Sequence, residues 1–440
     1  MFEFAKYYQA IEKTEPIKTN GKVTQVIGLI IESHGPGANL GELCYIYPNY
    51  GSPRLQAEVV GFKENKILLM PLGELKGIGP GCQVVAAGDS FRVGVGPKLL
   101  GRVIDGLGNP LDGKGPIEYN GDYPVNGSPL NPLERERISE RLSLGVKAID
   151  GLLTIGKGQR VGIFAGSGVG KSTLLGMVAR NTSADVNIIS LVGERGREVR
   201  EFIEKDLGAE GLARSVVIVA TSDQPALVRL KGALVATTIA EYFRDQGLDV
   251  MLMMDSVTRY AMSQREVGLA VGEPPATRGY TPSVFALLPK LLERSGTAAK
   301  GTITGLYTVL VEGDDTNEPV ADAVRGILDG HIVLNRDLAM QNHYPAIDIL
   351  ASVSRLMNDI ADQNHLHAAR EVRSIMAAYK DAKDLIDIGA YAAGSNPRVD
   401  YAISKINYVH EFLQQNINER FSLDEAVAIL ESVMGIPLSA

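Results

Sequence analysis

The chain has 440 residues, 45% of them hydrophobic and 22% charged, with a formal net charge of −8. That is the composition of an ordinary globular protein of two or three domains, and its acidity argues against a broad nucleic-acid footprint. No apolar run approaches the ~18 residues of a spanning helix, the start Met1-Phe2-Glu3-Phe4-Ala5-Lys6 lacks signal-peptide order, and Cys44 and Cys82 stand alone as expected of buried thiols in a reducing, cytoplasmic compartment.

In chain order, Met1, Phe4, Tyr8 and Ile11 fall at helical spacing, which reads either as a docking handle or as a segment packed on its own domain. From Gly21 to about Val95 short β-rich runs alternate with Gly/Pro punctuation, among them Val23–Ile31, Glu58–Phe62 and Lys66–Met70. Short strands with frequent turns predict a small barrel. Gly101–Leu111 opens a loop-rich connector running to about Arg141. From Gly145 strands and helices alternate, with strands expected at Val161–Ala165, Asn187–Val192, Val216–Thr221, Val250–Asp255 and Thr302–Val311. A helix over Ala226–Gln246 stops at Gly247. Repeated βα units imply a parallel sheet covered on both faces, whose ligands gather at the carboxyl ends of its strands. Beyond about His365 polar helical text takes over. The last helix opens on the capping box Ser422-Leu423-Asp424-Glu425 and ends at Gly435 and Pro437. The expected units are a barrel over 1–95, an α/β core with its connector over 96–365, and a helical domain over 366–440.

Between the first core strand and a helix lies Ala165-Gly166-Ser167-Gly168-Val169-Gly170-Lys171-Ser172-Thr173. Its glycines let backbone N–H groups turn onto phosphate oxygens, and the helix start adds its positive dipole end. Lys171 can reach the β and γ phosphates and the Ser172 hydroxyl can ligate Mg²⁺. Ala165 replaces the usual first glycine, a minor departure for a small residue at a strand end. Asp255, closing the apolar run Val250–Met254, is placed to hold Mg²⁺ largely through water; alone it would read as a helix cap. Glu194, after the strand Asn187–Val192, reads equally as a general base for attacking water or as surface charge at a helix start. Arg195, Arg197 and Arg200 share that ambiguity.

From about Gly101 to Gln415 these residues resemble the catalytic ATPases of type III protein export, relatives of the rotary ATP synthase catalytic subunit, and within them the flagellum-specific export ATPases. The resemblance rests on Gly162–Thr173, Gly193–Phe202, Ala240–Gly247, Asp255–Arg259, Gly272–Phe285 and His343–Asp348. It implies an α/β fold: a RecA-like P-loop core between an N-terminal β-barrel and a C-terminal helical domain. It assigns Glu194 as the catalytic glutamate and Gly166, Ser167, Gly168, Val169, Gly170, Lys171, Ser172 and Thr173 to the nucleotide. Ser172 and Asp255 fall to Mg²⁺. Tyr344 is expected to pack on adenine, and Arg355 to reach the γ-phosphate of the neighbouring subunit. Arg195, Glu198 and Arg259 are further contacts. ATP and Mg²⁺ are the implied ligands, and a homohexamer the implied assembly. The implied partners are a stator-like regulator at the N-terminal segment, a coiled-coil stalk in the pore, the export gate, and chaperones with their substrates. Membrane association would be peripheral, and nucleic acid is not expected.

Rival readings are a rotary subunit, a non-hydrolysing structural subunit and a Rho-type RNA translocase. The first needs a non-catalytic partner chain, whereas one chain here carries both Glu194 and Arg355. The second usually has glutamine at the position of Glu194. The third needs stacking aromatics and basic groups, and this acidic chain has no tryptophan. Within the family, an injectisome enzyme of virulence secretion is the alternative. The stretches Leu227–Gly232 and Ala276–Thr281 look flagellar.

Overall fold

The early β-rich runs close on themselves. The computed structural model describes residues 20–48, 53–311 and 318–435, so the segment expected at 1–12 lies outside the described residues. Strands Asn20–Ile27, Ile30–His34, Lys66–Pro71, Leu55–Lys63, Glu42–Tyr47 and Gln83–Ser90 follow one another around a closed antiparallel barrel. Alternate residues point inward, so Ile31, Cys44, Ile46, Leu69 and Val84 fill its centre. Both cysteines are buried and unpaired; burial, with Glu42 adding to it, pushes the Cys44 thiol up to about 12.

The core sheet runs in the order Ile347–Ser354, Gly330–Leu334, Arg160–Ala165, Thr302–Leu310, Asp249–Asp255, Val186–Val192, Ser215–Ala220 and Arg102–Asp105. All neighbours are parallel except the first pair. Five of these strands match the predicted runs to within one residue at each end. The connector reading needs correction: Arg102–Asp105 adds to the sheet edge beside Ser215–Ala220, where the bidentate pair Arg102–Asp112, at 2.6 and 2.8 Å, fastens it to the following turn. Helix Ala226–Asp245, capped by Gln246, covers one face, and the helix Lys171–Asn181 packs on the other. Helices Gln363–Asp387, Pro397–Leu413 and Leu423–Met434 form the C-terminal bundle. Ser422 and Glu425 make the expected reciprocal cap, and Gly435 ends the last helix in left-handed backbone.

Buried charges join the barrel to the core and brace the core itself. Lys231, 2% exposed, reaches from the core to Glu58 of the barrel at 2.5 Å. Arg294 forks onto Glu241 at 2.8 and 2.6 Å while donating to Val125 O and Thr238 Oγ1. Asp150 accepts from the N–H groups of Leu144 and Gly145 and from Ser143 Oγ, which ties the entry to the core onto its first helix. Among the described residues no helix is long and apolar enough to cross a membrane.

Candidate nucleotide site

The strand Arg160–Ala165 ends in the Gly-rich loop, and the helix that follows begins at Lys171. Gly168 and Gly170 take φ of +79° and +90°, a backbone that a side chain on Cβ would resist. That turn aims the loop's N–H groups and the helix start into one concavity. The loop divides two clefts. On one side, a space of about 720 Å³ is lined by Lys171, Ser172, Glu194, Arg259 and Arg336. On the other, a space of about 1110 Å³ is lined by Gly170, Tyr344, Gln415, Ile417 and Phe421. A cleft with charged walls on the phosphate side and a ring on the other suits an aromatic base joined to a polyphosphate.

Three strand ends on the same edge of the sheet lead into the charges of the first cleft. Lys171 Nζ lies 2.5 Å from Asp255 Oδ1 and 3.6 Å from Glu194 Oε1. Burial works against the ammonium, but Asp255 and Glu194 outweigh it, so Lys171 holds its proton above the ordinary lysine range. Burial pushes the Glu194 carboxyl up to about 7; Lys171 opposes the shift, while Asp255 and Glu198 add to it. A carboxyl poised near neutrality is suited to accept a proton from water. Asp255 also accepts from Thr308 Oγ1 at 2.7 Å, which fixes its orientation. Gly193 brings Glu194 off its strand at φ +72°, and a Cβ there would stand 2.9 Å from Arg259 Cβ.

The remaining predicted residues separate into groups. Gly166, Ser167, Gly168, Ser172 and Thr173 line the charged cleft, and Val169 is buried beneath the loop on the other side. Arg259 borders Glu194, and its buried Nε has no partner among the described residues. Arg195 has a side chain 77% exposed and sits 3.6 Å from Glu198; Arg197 pairs with Glu201 and Arg200 with Glu204 on the same solvent face. Tyr344 stands over the loop on the far side, its ring 3.5 Å from where a Gly170 Cβ would be.

Arg355 is elsewhere. Its N–H donates to Asp329 O, and Asp329 N–H donates to Arg160 O, so it lies beside the start of the strand whose end carries the loop. Five residue steps at ~3.3 Å put about 17 Å of strand between it and the phosphate cradle. Its guanidinium is exposed and donates to Arg325 O at 3.3 Å. Sequence reasoning missed Arg336, Gln415 and Phe421 as wall residues, because nothing local marks them.

Comparison with known proteins places the whole chain. Residues 23–88 match the ATP synthase alpha/beta family, beta-barrel domain, residues 145–354 its nucleotide-binding domain, and residues 361–432 the T3SS EscN ATPase C-terminal domain. The chain is 59% identical over 428 residues to the flagellum-specific ATP synthase of Bacillus subtilis (strain 168), covering 97% of each. It is 50% identical over 413 residues to the type 3 secretion system ATPase of Xanthomonas euvesicatoria, covering 94% of this chain and 93% of the relative. Among solved structures it is similar to the assembled ATPase EscN from the enteropathogenic E. coli type III secretion system, with a TM-score of 0.89 and 48% identity over 94% of this chain and 99% of that one. EscN in complex with its central stalk EscO gives a TM-score of 0.87 at 47% identity, with the same coverage. The chain therefore belongs to the ATP synthase alpha/beta family, in its branch of flagellum-specific and type III secretion ATPases.

Proposed function

We propose that the protein hydrolyses ATP in the service of type III export of flagellar components, as a homohexameric ring in which each site is completed by the next subunit. The observation that carries this reading is the charge cluster of Lys171, Asp255 and Glu194 at the mouth of the phosphate loop. The loop's N–H groups bind the phosphates, and Lys171 leaves its carboxylate partners for the γ-phosphate. Glu194 orients water and takes its proton at a carboxylate oxygen. Arg355, about 17 Å of strand away from its own loop, serves the neighbouring site, where such a finger is worth ~10³–10⁵ in rate. Tyr344 packs on the base.

The Ser172 hydroxyl and the Asp255 carboxylate are hard oxygen donors, and among the described residues no cluster of three or more His, Cys, Asp or Glu would hold a metal by itself. That donor set fits Mg²⁺, which takes most of its shell from water and phosphate. When bound, the ion neutralises charge on the transferred phosphoryl group. Arg195, Glu198 and Arg259 are supporting contacts in this scheme.

The working units are 1–95, 96–365 and 366–440. The solved complex of EscN with its central stalk supports a central stalk partner for this chain as well, which we take to be a coiled coil in the pore. A stator-like regulator at the N-terminal segment, the export gate, and chaperones with their substrates complete the proposed set, with peripheral recruitment to the inner face of the cytoplasmic membrane at the flagellar base. The 59% identity to a flagellum-specific relative favours the flagellar system. Glu194→Gln tests the chemistry: MgATP binding should persist while hydrolysis is lost, and near-wild-type turnover would remove Glu194 from its role. Deletion tests the system: loss of flagella with contact-dependent secretion retained is expected, and the reverse would overturn the flagellar reading.

A further inference from the structure

Gln415 lies where the C-terminal bundle meets the phosphate-loop domain, 5% exposed. Its side chain closes three contacts at once. Oε1 accepts from Lys147 N–H at 2.9 Å, and Nε2 donates to Gly145 O at 2.9 Å and to Glu419 O at 3.0 Å. Its own backbone N–H donates to Tyr344 O at 3.0 Å. The preceding residue repeats the pattern, since Gln414 Nε2 lies 3.3 Å from Nδ1 of the buried His343. Two consecutive residues at the end of one helix are thereby joined to the two consecutive residues that carry the aromatic wall. Both amide hydrogens of Gln415 are engaged by protein carbonyls, so it has no donor left with which to read a base.

We propose that Gln415 is a positioning residue for nucleotide binding: it sets Tyr344 over the phosphate loop by tying the Tyr344 junction to Gly145 and Lys147. The inference rests on the reading of Tyr344 as the base-packing residue. Removing the amide unties Gly145 and Lys147 from the Gln415–Tyr344 junction and leaves buried donors and acceptors unpaired, so the ring loses its fixed height. The phosphate cradle, built from the loop itself, keeps its geometry.

The test uses the full chain. Gln415→Ala should raise the KM for ATP about tenfold while kcat stays within about twofold and inhibition by inorganic tripolyphosphate, which lacks a base, is unchanged. In a Tyr344→Ala background the same substitution should add less than about twofold, as coupled residues do. An unchanged KM, an equal loss of affinity for ATP and tripolyphosphate, or a full multiplicative effect on top of Tyr344→Ala would each overturn the proposal. If Gln415→Ala does not fold, Gln415→Met keeps length and bulk and is read the same way. If Tyr344→Ala leaves ATP affinity intact, the base-packing reading fails and the positioning role with it; if Tyr344→Ala weakens ATP and Gln415→Ala does not, only the positioning role fails.

Discussion

Replacing Glu241 by glutamine asks how much of the core depends on one buried ion pair. Arg294 is 2% exposed and its guanidinium faces both Glu241 oxygens, with Val125 O and Thr238 Oγ1 taking two further donors. In Glu241→Gln the charge loses its counter-ion without gaining water, and the new amide N–H₂ meets guanidinium donors. Breaking such a pair costs about 3–5 kcal/mol, most of it from the stranded cation. The glutamine oxygen still accepts one hydrogen bond, which places the value near ~3 kcal/mol. At about 2–4 °C per kcal/mol for a unit of this size, the melting midpoint should fall by roughly 6–12 °C. Circular dichroism melts of both proteins measure it, with Glu204→Gln as the control: its pair with Arg200 is solvent-exposed and should move the midpoint by no more than about 1 °C. A fall of less than about 2 °C for Glu241→Gln would refute the argument that the core relies on this pair.

Further substitutions test other joints. Asp112 is held well below the usual carboxylate range by the Arg102 guanidinium, with the Val103 and Lys114 N–H groups adding to it against burial. Its folded pKa is depressed, so its stabilisation is complete above the unfolded value near ~3.8 and is lost as pH falls through the folded one. Asp112→Asn should therefore lower the midpoint at pH 7, and the gap to wild type should close on acidification below about pH 4; a gap independent of pH contradicts this. Asp150→Asn keeps the shape but turns an N–H₂ toward the donors of Leu144, Gly145 or Ser143, costing about 1–3 kcal/mol in thermal or urea unfolding; an unchanged midpoint would show that the side chain reorients freely. Gly193→Ala puts a Cβ 2.9 Å from Arg259 Cβ at φ +72°, so turnover should drop at least about tenfold with the fold retained. Wild-type turnover would mean that the Glu194 turn adapts.

The phosphate loop was legible because its chemistry is local: glycines, Lys171 and Ser172 must be contiguous for amides, ammonium and hydroxyl to meet one phosphate group. Asp255 was legible from its place at the end of an unbroken apolar strand. The strand Gly330–Leu334 and its antiparallel partner Ile347–Ser354 were not, since His331, Asp348 and Ser352 interrupt the apolar pattern. The strand Arg102–Asp105 is four residues long and set among glycines, so it read as loop. Tyr344 and Arg355 were named only through the family resemblance, because what defines them is position in space. Gln415 illustrates the limit most clearly: its partner Gly145 is 270 residues away, and no periodicity links the two. Arg294 and Glu241 are 53 apart and likewise meet only in the folded core.

The proposed division of each site between two subunits is open to a direct mixing measurement. Glu194→Gln and Arg355→Ala chains, each expected to be inactive alone, are combined under ring-forming conditions and ATP turnover is followed. A site whose loop side comes from an Arg355→Ala chain and whose finger comes from a Glu194→Gln chain holds both wild-type groups. Random head-to-tail assembly of equal amounts makes roughly one junction in four of that kind. Recovery of activity toward about a quarter of wild type is the predicted result, and mixed rings as inactive as either parent would contradict a site shared between neighbours.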